Sequence, residues 1–515
     1  MLILPLFKIS LTIVFTIHWQ PQTQLCCENI LSFMLNKVCV TYRKRSSPFD
    51  KIGRCKVVLR SSIFVVVLLA VLASSCKKDS DTQGAAGTIP PATSDSGNIA
   101  VKWADMTLYV VRYSAFNSPT YTSRSLGYLG LTMYESIVHG YPSHKSMSGQ
   151  LNGLILPVPN TGQYQWLLAL NAGQDTLLKL LYPVPANSHR FVHEKIDSLY
   201  QALFKRESKD ISNDIIERSV KWGKDVALAI YNWSLSDGGD KGYAKNFEPA
   251  YVFPAGDSYW VAPSRGQTVS PYPLHPYWGN NRTFVSANNN LPVPAIVPYS
   301  TDTASAYYKL YRAVYDKDKV LTLPEREIAA WWGDDPTETF SPPGHSYAMA
   351  TIAIKKANAQ TVIAVEAYAR TGMAIADAFI NCWKAKVTYF NERPSSYVKK
   401  NIDSTWVQFW PEPPFPAFPS GHSIQSAAAA EVLTDIFGDN FSFTDRSHEG
   451  HRRYDDVRFY DLSYPARSFH SFWEAANECA YSRFLGGIHT QQDNEAGAQE
   501  GKVVGQNVNA LHWRS

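Results

Sequence analysis

The chain has 515 residues, 45% of them hydrophobic and 18% charged, so it is long and apolar enough to bury a substantial core. The formal net charge is +4, but the first 76 residues hold nine Lys/Arg against Glu28 and Asp50, a surplus of seven. The remainder therefore carries about −3. A near-neutral body without a basic run argues against a nucleic-acid partner.

The first recognisable segment is an export signal. Lys56 and Arg60 precede the apolar run from Ile63 to Ala73, which is short for a membrane span and typical of the apolar part of a secretory signal. Residues 72–76 resemble the lipobox of a bacterial lipoprotein, which implies lipidation at Cys76. The alternative is an uncleaved anchor in which this cysteine is incidental. Both alternatives predict an exported, periplasmic or surface protein that contacts a membrane only through its anchor.

The remaining N-terminal sequence sets the domain boundaries. Residues 1 to about 50 fit neither a signal nor a domain, which suggests a start codon placed too far upstream. Residues 77–97 are polar and predict a flexible tether, and the folded domain is expected over 98–515. Five of the seven cysteines lie within residues 1–76, which leaves Cys382 and Cys479 in the domain. A disulfide framework is therefore not predicted.

Apolar spacing in the domain predicts helices. Apolar or small residues recur three and four apart at Ile216, Val220, Gly223, Ala227 and Ile230. Similar patterns cover 101–115, 122–138, 165–181 and 188–205, then 303–316 and onward to about 505. Residues 237–300, rich in Gly, Pro, Asn and aromatics, predict a long irregular insertion, either functional or a surface cover. Without repeats or alternating strands, the sequence predicts an all-α fold of one or two packed helical bundles.

The first candidate functional residues lie on a long helix predicted over 361–393. An apolar stripe continues along it into Lys386 and Arg393, and its members are Val362, Val365, Ala369, Gly372, Ala376, Phe379 and Trp383. Two cations on a buried stripe are costly unless an anion lies near them. The alternative is that both side chains reach solvent or pair with carboxylates. Pro394 is expected to end the helix.

The second motif, Pro419-Ser420-Gly421-His422, precedes a helix predicted over 424–437. A helix start offers free N–H groups and a positive dipole end, Gly allows close approach, and Ser adds a hydroxyl. This pattern indicates an anion cradle with a histidine at its rim. The alternative is an ordinary serine N-cap beside a solvent-facing histidine.

The third motif runs from Ser482-Arg483 to His489, with Asp493 four residues later. A carboxylate one helical turn away would orient the imidazole. The alternatives are a surface salt bridge for Arg483 and a satisfied core histidine for His489. Between the second and third motifs, residues 448–451 read His-Glu-Gly-His, which we interpret as a solvated loop because this spacing supplies too few zinc ligands.

Together these motifs resemble the three-part signature of the type-2 acid phosphatase and vanadium-dependent haloperoxidase superfamily. The signature covers 386–493, and the resemblance implies a helical-bundle fold for most of 98–515. It implies that His489 bonds the central atom of an oxyanion, vanadate or phosphate, that His422 is the acid–base group and that Asp493 supports catalysis. The oxyanion-binding residues implied are Lys386, Arg393, Ser420, Gly421 and Arg483. Trp383 and Phe415 resemble residues that line the vanadate pocket of bacterial, notably iodide-oxidising, haloperoxidases.

Within the superfamily the sequence favours a haloperoxidase. More than 280 domain residues precede the first motif, and the interval from His422 to Ser482 is long for a phosphatase. The expected reaction is oxidation of iodide or bromide by hydrogen peroxide with vanadate as cofactor. The alternative enzyme is an exported acid phosphatase that hydrolyses phosphomonoesters or lipid phosphates through a phosphohistidine. A phosphate-binding lipoprotein is the non-enzymatic alternative, and the presence of both His422 and His489 argues against it.

Overall fold

The structure is a computed structural model that describes residues 97–335 and 338–515. The predicted signal, most of the tether and Cys76 lie outside this range. The described residues form thirteen α-helices: α1 (Gly97–Tyr113), α2 (Pro119–Ile137), α3 (Trp166–Leu181), α4 (Arg190–Glu207), α5 (Asn213–Ser234), α6 (Ala306–Lys319), α7 (Leu323–Trp331), α8 (Ser341–Ala357), α9 (Thr361–Tyr389), α10 (Pro394–Asn401), α11 (Gly421–Phe437), α12 (Phe472–Leu485) and α13 (Gln491–Asn509).

The predicted all-α class is confirmed, with one local difference. Helical patterns were expected to continue to about residue 505, but α11 ends at Gly438, whose φ of 95° stops the helix. Four short strands follow: β1 (Phe443–Asp445) pairs antiparallel with β4 (Arg467–Phe469), and β2 (Arg452–Asp455) with β3 (Tyr460–Ser463). These two hairpin-like pairs place the segment between α11 and α12 against α7 and α8.

The helices pack as two sets that share α9. Helices α1 to α5 pack on one another, and α11, α12 and α13 pack together, while α9 lies against both α2 and α11. Two glycines bring α2 and α9 close: a Cβ added to Gly130 would lie 2.4 Å from the Tyr368 carbonyl oxygen, and one at Gly372 would lie 2.4 Å from that of Leu126. The crossing therefore depends on the absence of both side chains.

The long helix ends earlier than its apolar stripe predicts. Phe390 adopts a left-handed conformation with φ of 49°, and its N–H bonds the Lys386 carbonyl, so α9 stops at Tyr389. Arg393 is extended (φ −86°, ψ 158°) and is the N-cap of α10, whose first residue is Pro394. The prediction that Arg393 lies on the same helix as Lys386 is wrong, and Pro394 begins a helix because proline suits the first helical position.

The irregular insertion is confirmed, and it lies against the predicted site. Residues 237–300 form only three 3₁₀ turns. The Leu274 carbonyl accepts a hydrogen bond from Trp383 Nε1 at 3.0 Å, and the Trp260 N–H bonds the Phe390 carbonyl at 2.8 Å. These contacts support the functional reading of the insertion. No helix among the described residues has the length and apolar character that crossing a bilayer requires.

Candidate active site

Residues of the second and third motifs line one cavity of about 480 Å³, whereas Lys386, Arg393, Ser420 and Arg483 are not among its lining residues. Its walls come from the start of α11, the end of α9, the turn before α13 and the irregular insertion. The lining residues include Gly421, His422, His489, Trp383, Phe415 and Gln267. Residues more than 200 positions apart in the chain therefore form a single pocket.

The start of α11 forms the floor of this cavity. Ser420 is the N-cap, and its side-chain oxygen accepts the Ser423 N–H at 3.4 Å. Its own N–H bonds the Asp493 carbonyl oxygen at 2.9 Å, which ties the start of α11 to α13. A Cβ built on Gly421 would meet no described atom within 4 Å, so open space lies directly above this helix start. The predicted anion cradle is present in geometry.

Lys386 lies beneath the loop that carries the cradle. Its Nζ is fully buried and donates to the carbonyl oxygens of Pro416, Ala417 and Pro419 at 2.8, 2.7 and 2.6 Å. Burial lowers the pKa of this ammonium to about 7. Lys386 therefore positions the loop, and an oxyanion in the cavity would compete with these carbonyls for its protons.

Arg393 connects the same loop to the third motif. Its Nε and Nη2 donate to the Phe415 carbonyl at 3.0 and 2.9 Å, and Nη1 contacts the Ile488 carbonyl at 2.9 Å and His489 Nε2 at 3.0 Å. The guanidinium is fully buried, which lowers its pKa to about 10. Arg393 therefore reaches the site from the short loop between α9, which ends at Tyr389, and α10.

The Arg483 guanidinium has one nitrogen without a hydrogen-bond acceptor in the described chain. Its Nη2 bonds the Ala329 carbonyl at 2.7 Å and its Nε bonds Ser482 Oγ at 2.9 Å. The third nitrogen, Nη1, is buried and finds no partner within residues 97–335 and 338–515. A buried guanidinium N–H without an acceptor is costly unless a ligand supplies one.

Two aromatic rings cover the buried cations. The Lys386 Nζ lies 5.8 Å from the Trp383 ring centre and 5.2 Å from that of Phe415, and the Arg393 guanidinium carbon lies 5.2 Å from the Phe415 ring. The Trp383 and Phe415 rings are 4.9 Å apart. Both residues line the cavity as the resemblance implied, and their rings keep water away from the cations while interacting with them favourably.

His489 is held from both sides of its ring. Nδ1 lies 3.1 Å from Asp493 Oδ2, and Nε2 lies 3.0 Å from Arg393 Nη1. Burial and the neighbouring cations Arg393 and Lys386 lower the pKa of His489, whereas burial raises that of Asp493 to about 6. The ring is therefore neutral, with the Nδ1 proton directed at Asp493 and a lone pair on Nε2.

The contact between His489 and Asp493 arises differently from the expected helical turn. Residues 486–490 are not helical, since Gly487 has φ of 72°, and α13 begins only after the N-cap Thr490. Asp493 is the third residue of that helix and bonds back to the Thr490 N–H at 2.9 Å in a capping box. The cap fixes the carboxylate that orients the histidine.

His422 lies in the first turn of α11, on the cavity wall. Burial and Arg483 lower its pKa, and a hydrogen bond from the ring to the Trp332 backbone opposes that decrease. Nε2 is buried and has no hydrogen-bond partner in the part of the chain that the structure describes, so the bond to Trp332 uses Nδ1. A neutral imidazole on a cavity wall, with an unbonded Nε2, is able to accept a proton.

Sequence reasoning missed a second wall of the site and misread one loop. Trp332 and Asp334, which follow α7, border His422 and the cavity respectively. The interpretation of residues 448–451 as a solvated loop is wrong for His448, which is 1% exposed and bonds Asp334 at 2.8 Å. The available signal was the string Trp331-Trp332-Gly333-Asp334-Asp335, in which two carboxylates follow two large aromatics.

Comparisons with known proteins identify the family. Over 84% of this chain and 99% of the other, the structure matches a bacterial vanadium-dependent iodoperoxidase with 30% sequence identity and a TM-score of 0.67. The chain belongs to the vanadium-dependent haloperoxidases. Residues 366–514 match the profile of the second helical-bundle domain of VCPO, which spans all three motifs of this haloperoxidase. No curated protein sequence gives a significant match.

Two further solved structures support the haloperoxidase fold. The apo form of a bacterial vanadium-dependent chloroperoxidase is 15% identical with a TM-score of 0.55, and the alignment covers 76% of this chain and 93% of that one. A holo form is 14% identical with a TM-score of 0.54, over 81% and 95% of the two chains. At this identity the likeness establishes the arrangement of helices.

The residues present fit a vanadate ion. Arg483 Nη1 and His422 Nε2 are buried without partners among residues 97–335 and 338–515, and the space above Gly421 is open. Lys386, Arg393 and Arg483 are all fully buried cations, and none forms an ion pair with a described carboxylate. A compact oxyanion would satisfy these groups together.

Gly421 offers a direct test of this fit. In Gly421→Ala the added methyl group would occupy the open space without touching the protein, so we expect the thermal unfolding midpoint to be retained. Vanadate affinity should fall at least about 10-fold, equivalent to one lost hydrogen bond of about 1.4 kcal/mol. Isothermal titration with orthovanadate measures this change, and an unaltered affinity would place the anion elsewhere.

Proposed function

We propose that this protein uses vanadate, bound in the cavity above Gly421, to oxidise iodide or bromide with hydrogen peroxide. The observation that carries the proposal is the pair of cavity histidines with different environments. His489 is a neutral imidazole whose Nδ1 is fixed by Asp493, and His422 presents an unbonded Nε2. The family membership given by 30% identity over a full-length iodoperoxidase supports the same conclusion.

The residues divide into ligand, charge and proton-transfer roles. His489 Nε2 would bind vanadium, and the cradle N–H groups with Arg483, Arg393 and Lys386 would hold the oxygens. Bound vanadate supplies Lewis-acid activation of hydrogen peroxide without a change in oxidation state. Arg483 Nη1 is a donor already free for an oxyanion, whereas Lys386 and Arg393 would share protons that they now donate to backbone carbonyls.

His422 performs the acid–base step in this proposal. His422 lines the cavity, its Nε2 has no hydrogen-bond partner in the described chain, and its lowered pKa keeps the ring neutral near pH 7. A neutral imidazole would accept a proton from hydrogen peroxide as the peroxide binds, and the hydrogen bond to the Trp332 backbone would hold the ring in position. The imidazolium formed is then able to return the proton to the oxygen that leaves as water.

The aromatic walls of the cavity affect which halide can enter it. Trp383 and Phe415 present aromatic surface, and these two rings exclude water from the buried cations. A large, weakly hydrated anion loses less hydration energy on entering such a pocket than a small one. This favours iodide over chloride as the substrate.

The decisive experiment compares two activities of the same protein. Loaded with orthovanadate, it should oxidise iodide and, more slowly, bromide with hydrogen peroxide. Without vanadate it should release little phosphate from a phosphomonoester. Phosphate release that vanadate inhibits, with no halide oxidation, would instead assign an acid phosphatase, the alternative raised by the shared oxyanion motif.

The lowered pKa of Lys386 predicts proton uptake on vanadate binding. Burial brings this pKa to about 7, and a bound oxyanion would raise it again because it favours the charged ammonium. Vanadate affinity should therefore decrease as pH rises above 7, since binding must then protonate Lys386. Calorimetric titrations in buffers of different ionisation enthalpy measure the proton uptake. The neighbouring Lys384→Gln serves as the control and should retain it.

We also propose that the enzyme is exported and anchored through lipid at Cys76. The support is the sequence from Lys56 to Cys76, with its basic start, apolar run and small residues before the cysteine. Metabolic labelling with a fatty acid should mark the wild-type protein and leave Cys76→Ala unlabelled. Labelling that persists in the variant would reject Cys76 as the anchor.

A further inference from the structure

A buried cluster of two histidines and two aspartates lies directly behind the wall that faces His422. Asp334 follows α7, His345 lies in the first turn of α8, Asp445 ends β1, and His448 lies in the next loop. All four side chains are at most 2% exposed. The reaction proposed above assigns none of them a role.

Asp334 is held by three donors. His345 Nδ1 lies 2.7 Å from its Oδ2, and His448 Nε2 lies 2.8 Å from its Oδ1. Thr339 Oγ1 donates to the same Oδ1 at 2.9 Å. The backbone at Asp334 is left-handed, with φ of 50°, which a non-glycine residue adopts only when its surroundings enforce it. The clamp therefore fixes both the carboxylate and the turn that carries it.

His345 is positively charged near neutral pH in this arrangement. Its Nε2 lies 2.8 Å from Asp445 Oδ2, so both ring nitrogens face carboxylates and both must carry protons. Burial alone would lower the pKa of His345, but Asp334 and Asp445 outweigh it and raise the pKa to about 10. The cluster thus places a fixed cation behind a fixed anion, and the anion is the one that borders the cavity.

The clamped turn contacts His422 directly. Trp332 stacks on the His345 ring at 4.7 Å between ring centres, and its backbone accepts the hydrogen bond from His422. The preceding helix, α7, supplies the Ala329 carbonyl that binds Arg483. One short segment after α7 therefore orients the acid–base histidine and one of the buried cations.

We propose that His345 and His448 are positioning residues for the active site: by clamping Asp334 they hold the Trp332–Asp335 turn so that its backbone and carboxylate face His422. This inference rests on the proposed function only in taking His422 to be the acid–base group of a haloperoxidase reaction. The geometric and electrostatic coupling between the cluster and His422 holds for any chemistry in the cavity.

The spacing of the cluster argues for hydrogen bonds in place of a metal ion. Its three potential ligands Asp334, His345 and His448 have donor atoms within 4.8 Å of one another. However, the nitrogen–oxygen pairs are 2.7 and 2.8 Å apart, whereas two ligands at about 2.0 Å from a tetrahedral zinc ion are separated by about 3.3 Å. The two protons on His345 already satisfy the two carboxylates.

Because the cluster contains both an anion and a cation, removing one or the other should shift the pKa of His422 in opposite directions. The charged groups around His422 are Arg483 from α12 and Asp334 and His345 from the clamp, and the titratable His489 from the turn before α13 is neutral. Asp334→Asn removes an anion that raises the pKa of His422 and should therefore lower that pKa. His345→Gln removes a cation and should raise that pKa.

The measurement is an NMR titration of histidine-labelled protein without vanadate, with the His422 signal assigned by its loss in His422→Gln. Thr339→Val removes an uncharged donor to Asp334 and should lower the unfolding midpoint while leaving the pKa of His422 in place. His144→Gln is the distant control. His144 pairs with Glu366 at 3.1 Å, and Glu366 is 20 residues, about 30 Å, before Lys386 along α9.

Each outcome bears on the proposal separately from the reaction. Opposite shifts in Asp334→Asn and His345→Gln support the coupling, and the acidic limb of kcat/KM for peroxide should move in the same directions. Shifts of one sign, or none in folded Asp334→Asn, would overturn it, as would a stoichiometric divalent metal in the purified protein. If His345→Gln does not fold, the isosteric Asp334→Asn decides. Opposite shifts without peroxidase activity would reject only the proposed reaction.

Discussion

His489→Ala is expected to abolish vanadate-dependent halide oxidation. Its Nδ1 is held by the Asp493 carboxylate and its Nε2 carries a lone pair that now accepts from Arg393. If Nε2 is the vanadium ligand, as proposed, removal of the ring leaves vanadium without that ligand. Partners of metal-ligating histidines alone contribute about 10- to 100-fold in affinity, so loss of the ligand itself should exceed about 100-fold. Equilibrium dialysis of vanadate and the iodide oxidation rate measure both effects.

The control for this substitution is His470→Ala, which removes an exposed histidine two residues before α12. It should retain vanadate binding and halide oxidation. His489→Ala should also remain folded, since it removes a neutral buried ring and leaves the Thr490–Asp493 capping box intact. A folded His489→Ala protein with wild-type turnover would reject the assignment of the vanadium ligand.

His422→Ala is expected to slow turnover while leaving vanadate binding largely in place. General acid–base catalysis by a positioned side chain contributes about 10²- to 10⁴-fold, and kcat should fall by that factor. Binding depends mainly on the cradle, the buried cations and His489, none of which bonds the His422 side chain. Steady-state kinetics with hydrogen peroxide, alongside vanadate titration, separate the two effects.

The pH profile distinguishes a proton-transfer role from a packing role for His422. In wild type, activity should rise with pH through the lowered pKa of His422 as the ring becomes the neutral base. That acidic limb should disappear in His422→Ala, and a small exogenous base such as imidazole should restore part of kcat. A variant that keeps both the limb and full kcat would assign the base to another group.

Local signals predicted the cradle well. Ser420 and Gly421 combine an N-cap hydroxyl with a glycine immediately before a strong helical pattern, and the structure begins α11 at Gly421. The residues that determine where this helix begins are consecutive in the sequence, so the sequence alone was sufficient to predict the cradle. The pairing of His489 with Asp493 was also predicted from spacing, although the structure reaches it through the cap at Thr490.

Other features depend on long-range packing that one sequence does not display. A left-handed conformation at Phe390, a bulky residue, interrupts an apolar stripe that itself continues unbroken, so the helix appeared longer than it is. Asp334 and His448 are 114 positions apart, and each alone resembles a polar loop residue. Only the folded arrangement of α7, α8 and β1 shows that they form one cluster.

The buried cations have a consequence for how the protein behaves in a cell. Lys386, Arg393 and Arg483 lie under aromatic rings and form no ion pair with a carboxylate in the described chain. The charge of the two arginines is not balanced by such a pair, and Lys386, with a pKa of about 7, would become fully charged only when an anion arrives. Phosphate has the same tetrahedral shape as vanadate, carries a similar negative charge and far outnumbers it in living systems. Vanadate must therefore compete with phosphate for the site, and the proposed bond from His489 to vanadium would favour vanadate. The fraction of enzyme molecules that hold vanadate then depends on the ratio of vanadate to phosphate around the protein.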